Sequence, residues 1–233
     1  MENNYFKFEN TEFDFPFYNK NPEISKFAWF VMVIAFILGY GIYITSPIFQ
    51  IPLYLSLILF CAIPLIPILY YLNWDYGRIF RKPSLNDLGW ALLMIFAYII
   101  FTIVLSPIIQ AGFPSERPVM AALNATDAIL PLILQIMGEE IFKFIFFVLF
   151  LCIIFKYTEN RKNSIIPAMI ISLLIFGFGH FITTGTLITS LVIQGLGSVF
   201  HLFLYVKTKN LWVSYISHLL TDIILTLPLL LII

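Results

Sequence analysis

Hydrophobic positions along the chain are grouped into seven long apolar segments separated by short polar stretches. The segments cover residues 27–48, 51–72, 88–110, 128–155, 164–183, 187–206 and 211–232. A helix that crosses a bilayer needs about 20 apolar residues, and each of these segments is at least that long. The pattern therefore predicts an all-α, polytopic transmembrane helical bundle with about seven spans.

The polar stretches divide this bundle from an N-terminal arm. We expect residues 1–26 to form a polar and aromatic arm. We expect residues 27–233 to form one transmembrane domain, with a motif-bearing core at about 128–225. Residues 111–127 are rich in proline and predict an irregular or interfacial connection. A broken or re-entrant segment is an alternative near 181–190, where two threonines and a glycine are consecutive.

The basic residues test the number of spans, because Lys and Arg are concentrated in cytoplasmic loops. Eleven of the thirteen fall in the arm or in alternate loops: Lys7, Lys20, Lys26, Arg78, Arg81, Lys82, Lys156, Arg161, Lys162, Lys207 and Lys209. Arg117 falls on the opposite side, and Lys143 lies inside the fourth apolar segment. This alternation predicts seven spans with a cytoplasmic N-terminus.

Composition supports a membrane protein and excludes an ordinary soluble domain. The chain is 61% hydrophobic and only 11% charged, whereas soluble domains carry about 25% charged residues. The two cysteines, Cys61 and Cys152, both lie in apolar runs and are expected to be buried thiols. The first 25 residues lack a basic region followed by an apolar one, so no cleavable signal peptide is expected.

Seven ionisable residues lie inside the apolar segments: Glu139, Glu140, Lys143, His180, His201, His218 and Asp222. One charge at the bilayer centre costs about 2.5–3.5 kcal/mol on insertion scales. Ionisable groups in spans therefore usually mark a reaction centre, a proton path or a transport path.

Their depths can be estimated from the rise of a helix, 1.5 Å per residue. Glu139 and His180 each lie roughly 24 Å from the cytoplasmic end of their span. The estimates for Asp222, His218 and His201 are roughly 16, 10 and 7 Å. We therefore expect Glu139, His180, His218 and Asp222 to converge, and we expect His201 to be a packing or interface residue.

Spacing within each helix assigns further partners. His218 and Asp222 are four residues apart, so they share one helical face. Lys143 follows Glu139 by four residues and Glu140 by three, so it can neutralise one of them. Two adjacent carboxylates in a low dielectric do not both ionise cheaply, an arrangement that suits a general base.

Three motifs in order, each on a separate segment, carry a family resemblance. Glu139-Glu140, Phe176-x-x-x-His180 and His218-x-x-x-Asp222 resemble the CPBP family, which includes type II CAAX prenyl endopeptidases and bacterial abortive-infection and bacteriocin-immunity proteins. The resemblance covers about residues 128–225. It implies an intramembrane endopeptidase in the plasma membrane of a prokaryote.

The resemblance also implies a role for each site residue. Glu139 would be the general base, His180 would help to hold the water, and Glu140 would support Glu139. His218 and Asp222 would stabilise the oxyanion. The implied substrate is a peptide or a membrane-associated protein; we expect no cofactor and no nucleic-acid partner, and the sequence does not predict an oligomeric state.

Two positions depart from the family pattern. Phe144 stands where the family has an arginine, and Asp222 stands where asparagine is common. An ionised aspartate cannot donate to an oxyanion, so it would orient His218, remain protonated or bind a metal. Glutamate, histidine and aspartate also bind zinc, which makes zinc held by Glu139, His180, His218 and Asp222 the alternative to a metal-free site.

Two other classes of function compete with the enzyme. A membrane immunity or partner protein that retains the motifs without catalysis is the main alternative. An ion or proton transporter is less favoured, because the sequence shows no inverted repeat and no matching pair of broken helices.

Overall fold

The computed structural model of the chain describes residues 5–113, 125–184 and 186–230. Its main helices are α1 (Lys26–Thr45), α2 (Leu53–Tyr71), α3 (Leu85–Gly112), α4 (Ala125–Thr158), α5 (Arg161–Thr184), α6 (Leu187–Thr208) and α7 (Leu211–Leu230). Within these ranges there is no strand. Six helices, α1 to α6, are long and apolar enough to cross a membrane, and α7 is a further apolar helix. The predicted polytopic helical bundle is confirmed.

Polar residues just before the apolar runs determine where two helices begin. Ser25 Oγ accepts a hydrogen bond from the backbone N–H of Ala28 at the start of α1. Ser84 and Asp87 form a reciprocal capping box at the start of α3. These side chains satisfy backbone N–H groups that have no partner within the helix. As a result, α3 begins at Leu85, slightly before the apolar run from residue 88.

Helix α4 lies at the centre of the bundle, where it packs against α2, α5 and α7. Its inward face is apolar and fully buried over several turns, with Ile141, Ile145, Phe147, Val148 and Leu151 at most 1% exposed. By contrast, α3 exposes large apolar side chains, including Leu92, Phe96 and Ile103. A wide apolar outer surface is what a bilayer requires of a membrane helix.

Helix α6 is irregular near its start. It passes through a π-helical turn, Ser190–Gly195, and a short 3-10 turn, Leu196–Ser198, before it becomes regular. Here the backbone of α6 touches that of α5: a Cβ atom at Gly177 would lie 2.7 Å from the Ser190 carbonyl oxygen and 2.9 Å from Gly195 Cα. Small residues permit such close approach of membrane helices. The irregular geometry therefore falls mainly after the 181–190 stretch; Gly185 lies outside the described residues.

The N-terminal arm covers one end of the bundle. Its Glu9 carboxylate is buried and accepts hydrogen bonds from Arg161 Nη2 at 2.7 Å and from Lys209 Nζ at 2.8 Å. Phe15, also fully buried, packs against Phe147 with ring centroids 5.3 Å apart. The arm is thus a packed part of the fold, tied to residues far along the chain.

The connections that carry basic residues meet at this same end, called the arm end below. Arg81 Nη2, between α2 and α3, donates to the carbonyl oxygen of Lys209, between α6 and α7, at 2.7 Å. Lys207 Nζ donates to the carbonyl oxygen of Phe8 in the arm at 3.0 Å. These contacts join the loops whose basic residues predict that they lie on the same side of the membrane. Arg117, predicted for the opposite side, lies outside the described residues.

Candidate active site

Five helices bring polar side chains around one cavity of about 200 Å³ inside the bundle. The lining residues are Tyr98, Gln135, Glu139, Phe176, His180, Gln194, Ser198, His218 and Asp222. The four residues predicted to form the reaction centre are all among them. They come from α4, α5 and α7, so the tertiary packing assembles what the sequence keeps far apart.

Glu139 faces both cavity histidines with its two carboxylate oxygens. Oε1 is 3.7 Å from His180 Nε2, and Oε2 is 3.8 Å from His218 Nε2. Gln135, one helical turn earlier on α4, donates a hydrogen bond to Oε1 at 2.8 Å and so fixes the carboxylate. Separations of 3.7–3.8 Å exceed a direct hydrogen bond and are short enough for a small polar group to bridge.

Glu140 differs from its neighbour because its carboxylate is fully engaged away from the cavity. Its Oε1 accepts from Lys143 Nζ at 2.5 Å and from His218 Nδ1 at 2.7 Å. Its Oε2 accepts from the hydroxyl of Ser214. All these groups are buried, so Glu140 and Lys143 form a neutral pair beside His218, whereas the spacing had left open which glutamate Lys143 would neutralise.

His218 is oriented by this pair. Because a carboxylate only accepts, Nδ1 carries the proton that it donates to Glu140. The other ring nitrogen, Nε2, then points toward Glu139 and toward Asp222, whose Oδ2 lies 3.9 Å away. Glu139 and Glu140 therefore contact opposite sides of one imidazole, which gives the two adjacent carboxylates different roles.

Phe144 and Lys143 take different positions in the structure. Phe144 is buried in the core, where it packs edge-on against Tyr205 with ring centroids 5.5 Å apart. Lys143, 1% exposed, instead reaches Glu140. The ammonium provides the charge but not the bidentate fork of an arginine.

His201 is fully buried beside the site and is not among the residues that line the cavity, although its estimated depth set it apart from the other histidines. Its ring stacks on that of His218 with centroids 4.5 Å apart and an interplanar angle of 18°. Two features account for this closeness to His218. The estimated depths of the two histidines differ by only about 3 Å, which is less than the width of an imidazole ring, and α6 contains irregular turns that a uniform rise ignores.

Four cavity residues were missed by the motif argument: Tyr98, Gln135, Gln194 and Ser198. Gln135 could have been found, because it precedes Glu139 by four residues and so lies on the same helical face. Gln194 is an amide in an apolar span, which is a weaker signal. Tyr98 carries no signal that distinguishes it from the other aromatic residues of the spans.

The carboxylate and imidazole groups around the cavity are of the types that bind zinc, but the distances between their donor atoms are longer than those in a zinc site. Ligand atoms of a tetrahedral zinc, each at 2.0–2.1 Å, lie about 3.3 Å from one another. The nearest carboxylate–imidazole separations here are 3.7, 3.8 and 3.9 Å. Among the described residues, no group of three or more His, Cys, Asp or Glu side chains is arranged to hold a metal ion.

Comparison with known protein families finds a match for the part of the chain that carries this site. Residues 121–224 match the family model of Rce1-like type II CAAX prenyl endopeptidases. The match covers slightly less than half of the chain and contains all six predicted site and supporting residues. The resemblance to CPBP intramembrane proteases is thereby confirmed for this part of the chain. No curated protein and no solved structure matches it.

Proposed function

We propose that the chain hydrolyses a peptide bond of a membrane-associated peptide or protein, using a water molecule activated by Glu139. The observation that carries this proposal is the position of Glu139, which faces Nε2 of both His180 and His218 across the cavity. The adjacent Glu140 is neutralised by Lys143 and cannot serve in its place. The family match supports peptidase activity in general.

His180 and Glu139 together can orient the attacking water. His180 Nδ1 lies 3.1 Å from the Phe176 carbonyl oxygen, which only accepts, so Nδ1 carries the proton. In the neutral ring, Nε2 is then the nitrogen that can accept a hydrogen bond. A water between Nε2 and the Glu139 carboxylate donates one hydrogen to each, which leaves its oxygen lone pairs directed at a substrate carbonyl.

The proton and the charge can both be followed through the reaction. Water oxygen bonds to the carbonyl carbon, its proton passes to Glu139, and the carbonyl electron pair becomes an oxyanion. When the C–N bond breaks, Glu139 returns the proton to the leaving nitrogen. His218 can donate to the oxyanion from Nε2 when that atom is protonated, beside the carboxylate of Asp222.

Glu139→Gln tests this role directly. The purified protein in lipid nanodiscs is assayed with internally quenched peptides, including a farnesylated Cys-aliphatic-aliphatic-X peptide. We expect kcat/KM to fall by about 10²–10⁴-fold, the usual contribution of a general base, with unchanged thermal unfolding. Glu23→Gln, at an exposed glutamate of the arm, is the matched control. Equal turnover by Glu139→Gln and the wild-type protein would refute the proposal.

We further propose that the reaction needs no metal. The separations between donor atoms, which exceed those of zinc ligands, support this. Activity should survive dialysis against EDTA, with metal content measured by mass spectrometry. Loss of activity in EDTA and its recovery with zinc would instead support the alternative site formed by Glu139, His180, His218 and Asp222.

A non-catalytic immunity or partner protein is a second candidate. The observation that favours it is Asp222, a carboxylate facing His218 Nε2 at a position where the family commonly has an amide. A Glu139→Gln, His180→Ala double variant separates the two candidates in cells that depend on the protein for protection. Full protection by the double variant supports the non-catalytic role, and loss of protection supports the peptidase.

For orientation, we propose that the arm end faces the cytoplasm of a prokaryotic cell. The loops that meet there carry nearly all the basic residues of the chain, and such loops are retained on the cytoplasmic side. A single cysteine introduced at Glu12, in a background without the two native cysteines, should be protected from a membrane-impermeant maleimide in intact cells. Labelling before lysis would reverse the assignment.

A further inference from the structure

Gln194 is the cavity residue that the proposed mechanism leaves unused. It lies on the π-helical turn of α6 and lines the cavity together with Glu139 and His218. Its Oε1 atom is buried and has no hydrogen-bond partner. Buried polar atoms almost always have a partner, and π-turns often occur at functional sites. Both observations indicate that this amide is placed for a ligand.

The backbone around Gln194 is held firmly in this position. Ser198 Oγ donates to the Gln194 carbonyl oxygen at 2.7 Å. On the following residue, a Cβ atom at Gly195 would lie 2.8 Å from the carbonyl oxygen of Leu173 and 3.1 Å from Gly177 Cα. The π-helical turn is therefore packed closely against α5, which fixes the position of the Gln194 backbone at the cavity wall.

The cavity needs a neutral hydrogen-bond donor of this kind. Peptide hydrolysis develops negative charge on the carbonyl oxygen, and preorganised donors at that point accelerate the reaction. An ionised Asp222 offers no donor, and Gln135 already donates to Glu139. A glutamine amide has two N–H donors, and rotation of its terminal torsion presents either end of the amide to the cavity.

We propose that the Gln194 carboxamide binds the scissile carbonyl oxygen and stabilises the oxyanion formed when water attacks. This inference rests on the proposed peptidase function. Gln194 contributes the donor that an asparagine at position 222 would otherwise supply, but from α6 instead of α7. No proton is transferred: the amide N–H donates to the carbonyl oxygen and strengthens that bond as the carbonyl electron pair moves onto the oxygen.

The test compares Gln194→Ala and Gln194→Glu with the wild-type protein in nanodiscs, using the same quenched peptides. The glutamate variant keeps nearly the same shape without the amide donor. We expect kcat to fall by about 10²–10³-fold, the usual effect of losing one oxyanion donor, with KM changed by less than about threefold. Gln110→Ala, which removes an exposed amide of α3, should leave kcat unchanged.

A second measurement separates oxyanion binding from a loss of shape. A phosphinate analogue of the cleaved peptide carries a tetrahedral, anionic centre, so its inhibition constant should rise in proportion to the loss of kcat/KM across the variants. Proportional losses support the proposal. An unchanged inhibition constant would overturn it.

The outcomes distinguish this inference from the proposed function. If Gln194→Glu, correctly folded by circular dichroism, retains kcat within about threefold, the role of Gln194 is refuted and the peptidase stands. If Glu139→Gln cleaves as fast as the wild-type protein, or if the wild-type protein cleaves none of the peptides, the peptidase proposal fails and this inference fails with it.

Discussion

Removal of the Glu9 carboxylate should release the N-terminal arm from the bundle. The side chain is fully buried and accepts from Arg161 and Lys209. Burial alone would raise the pKa of Glu9, but hydrogen bonds from these two cations outweigh it and hold the pKa below its ordinary value. The carboxylate is therefore ionised at neutral pH and compensates two cations at the arm end.

The magnitude follows from what the cations lose in Glu9→Ala. Removing one partner of a buried ion pair costs about 3–5 kcal/mol. In this variant Arg161 keeps a hydrogen bond to Asp14 at 2.8 Å, and Lys209 keeps one to the Asn10 carbonyl oxygen at 3.0 Å. These remaining bonds favour the lower end of that range of free energy. A loss of about 3 kcal/mol raises the population of the released arm by about 10²-fold.

Hydrogen exchange of the arm amides in nanodiscs measures this change, and limited trypsin cleavage at Lys7 provides a second readout. Exchange through local opening should accelerate about 10²-fold in Glu9→Ala, whereas Glu12→Ala, at an exposed arm glutamate, should change it little. Because the folded pKa of Glu9 lies below the unfolded one, its contribution is complete above the unfolded pKa of about 4.5. It is lost as the pH falls through the folded pKa. Equal exchange in the two variants would show that Glu9 does not hold the arm.

Three further variants test other parts of the structure. Gly177→Ala places a Cβ atom 2.7 Å from a backbone oxygen of α6, so thermal unfolding should show a loss of stability of about 1–3 kcal/mol. The control, Gly41→Ala, has nothing within 4 Å of the added Cβ atom and should be neutral. Similar losses in both variants would contradict the close contact between the helices. Lys143→Met leaves the Glu140 carboxylate buried without its cation and should cost about 3–5 kcal/mol in the same assay, so wild-type stability would be the contrary result. Asp222→Asn adds a donor at the cavity and should cleave quenched peptides at least as fast as the wild-type protein; a tenfold loss of kcat would show that the carboxylate itself is required.

The spans and the residue pairs within single helices of the site could be predicted because both depend on local periodicity. Lys143 reaches Glu140 and His218 shares a helical face with Asp222 at spacings that any regular helix imposes. Apolar length alone defined the helices. These features need no knowledge of how the helices are packed against one another.

The remaining features depend on irregular or distant structure. The π-turn in α6 changes the direction of residues around Gln194 and is not encoded by a simple period. The arm was predicted only as polar and aromatic, because nothing in its spacing identifies Arg161 or Lys209 as the partners of Glu9. Such long-range pairing depends on tertiary packing, which also sets His201 against His218.

The buried position of Glu9 has a consequence for biogenesis. The arm precedes every helix along the chain, yet the cations that Glu9 binds follow it by 152 and 200 residues. During synthesis the arm is therefore made first but remains without its partners until the connection between α6 and α7 has emerged. Contacts so distant in sequence are slow to form. Docking of the arm onto Arg161 and Lys209 therefore requires that the chain as far as the connection between α6 and α7 is already in place.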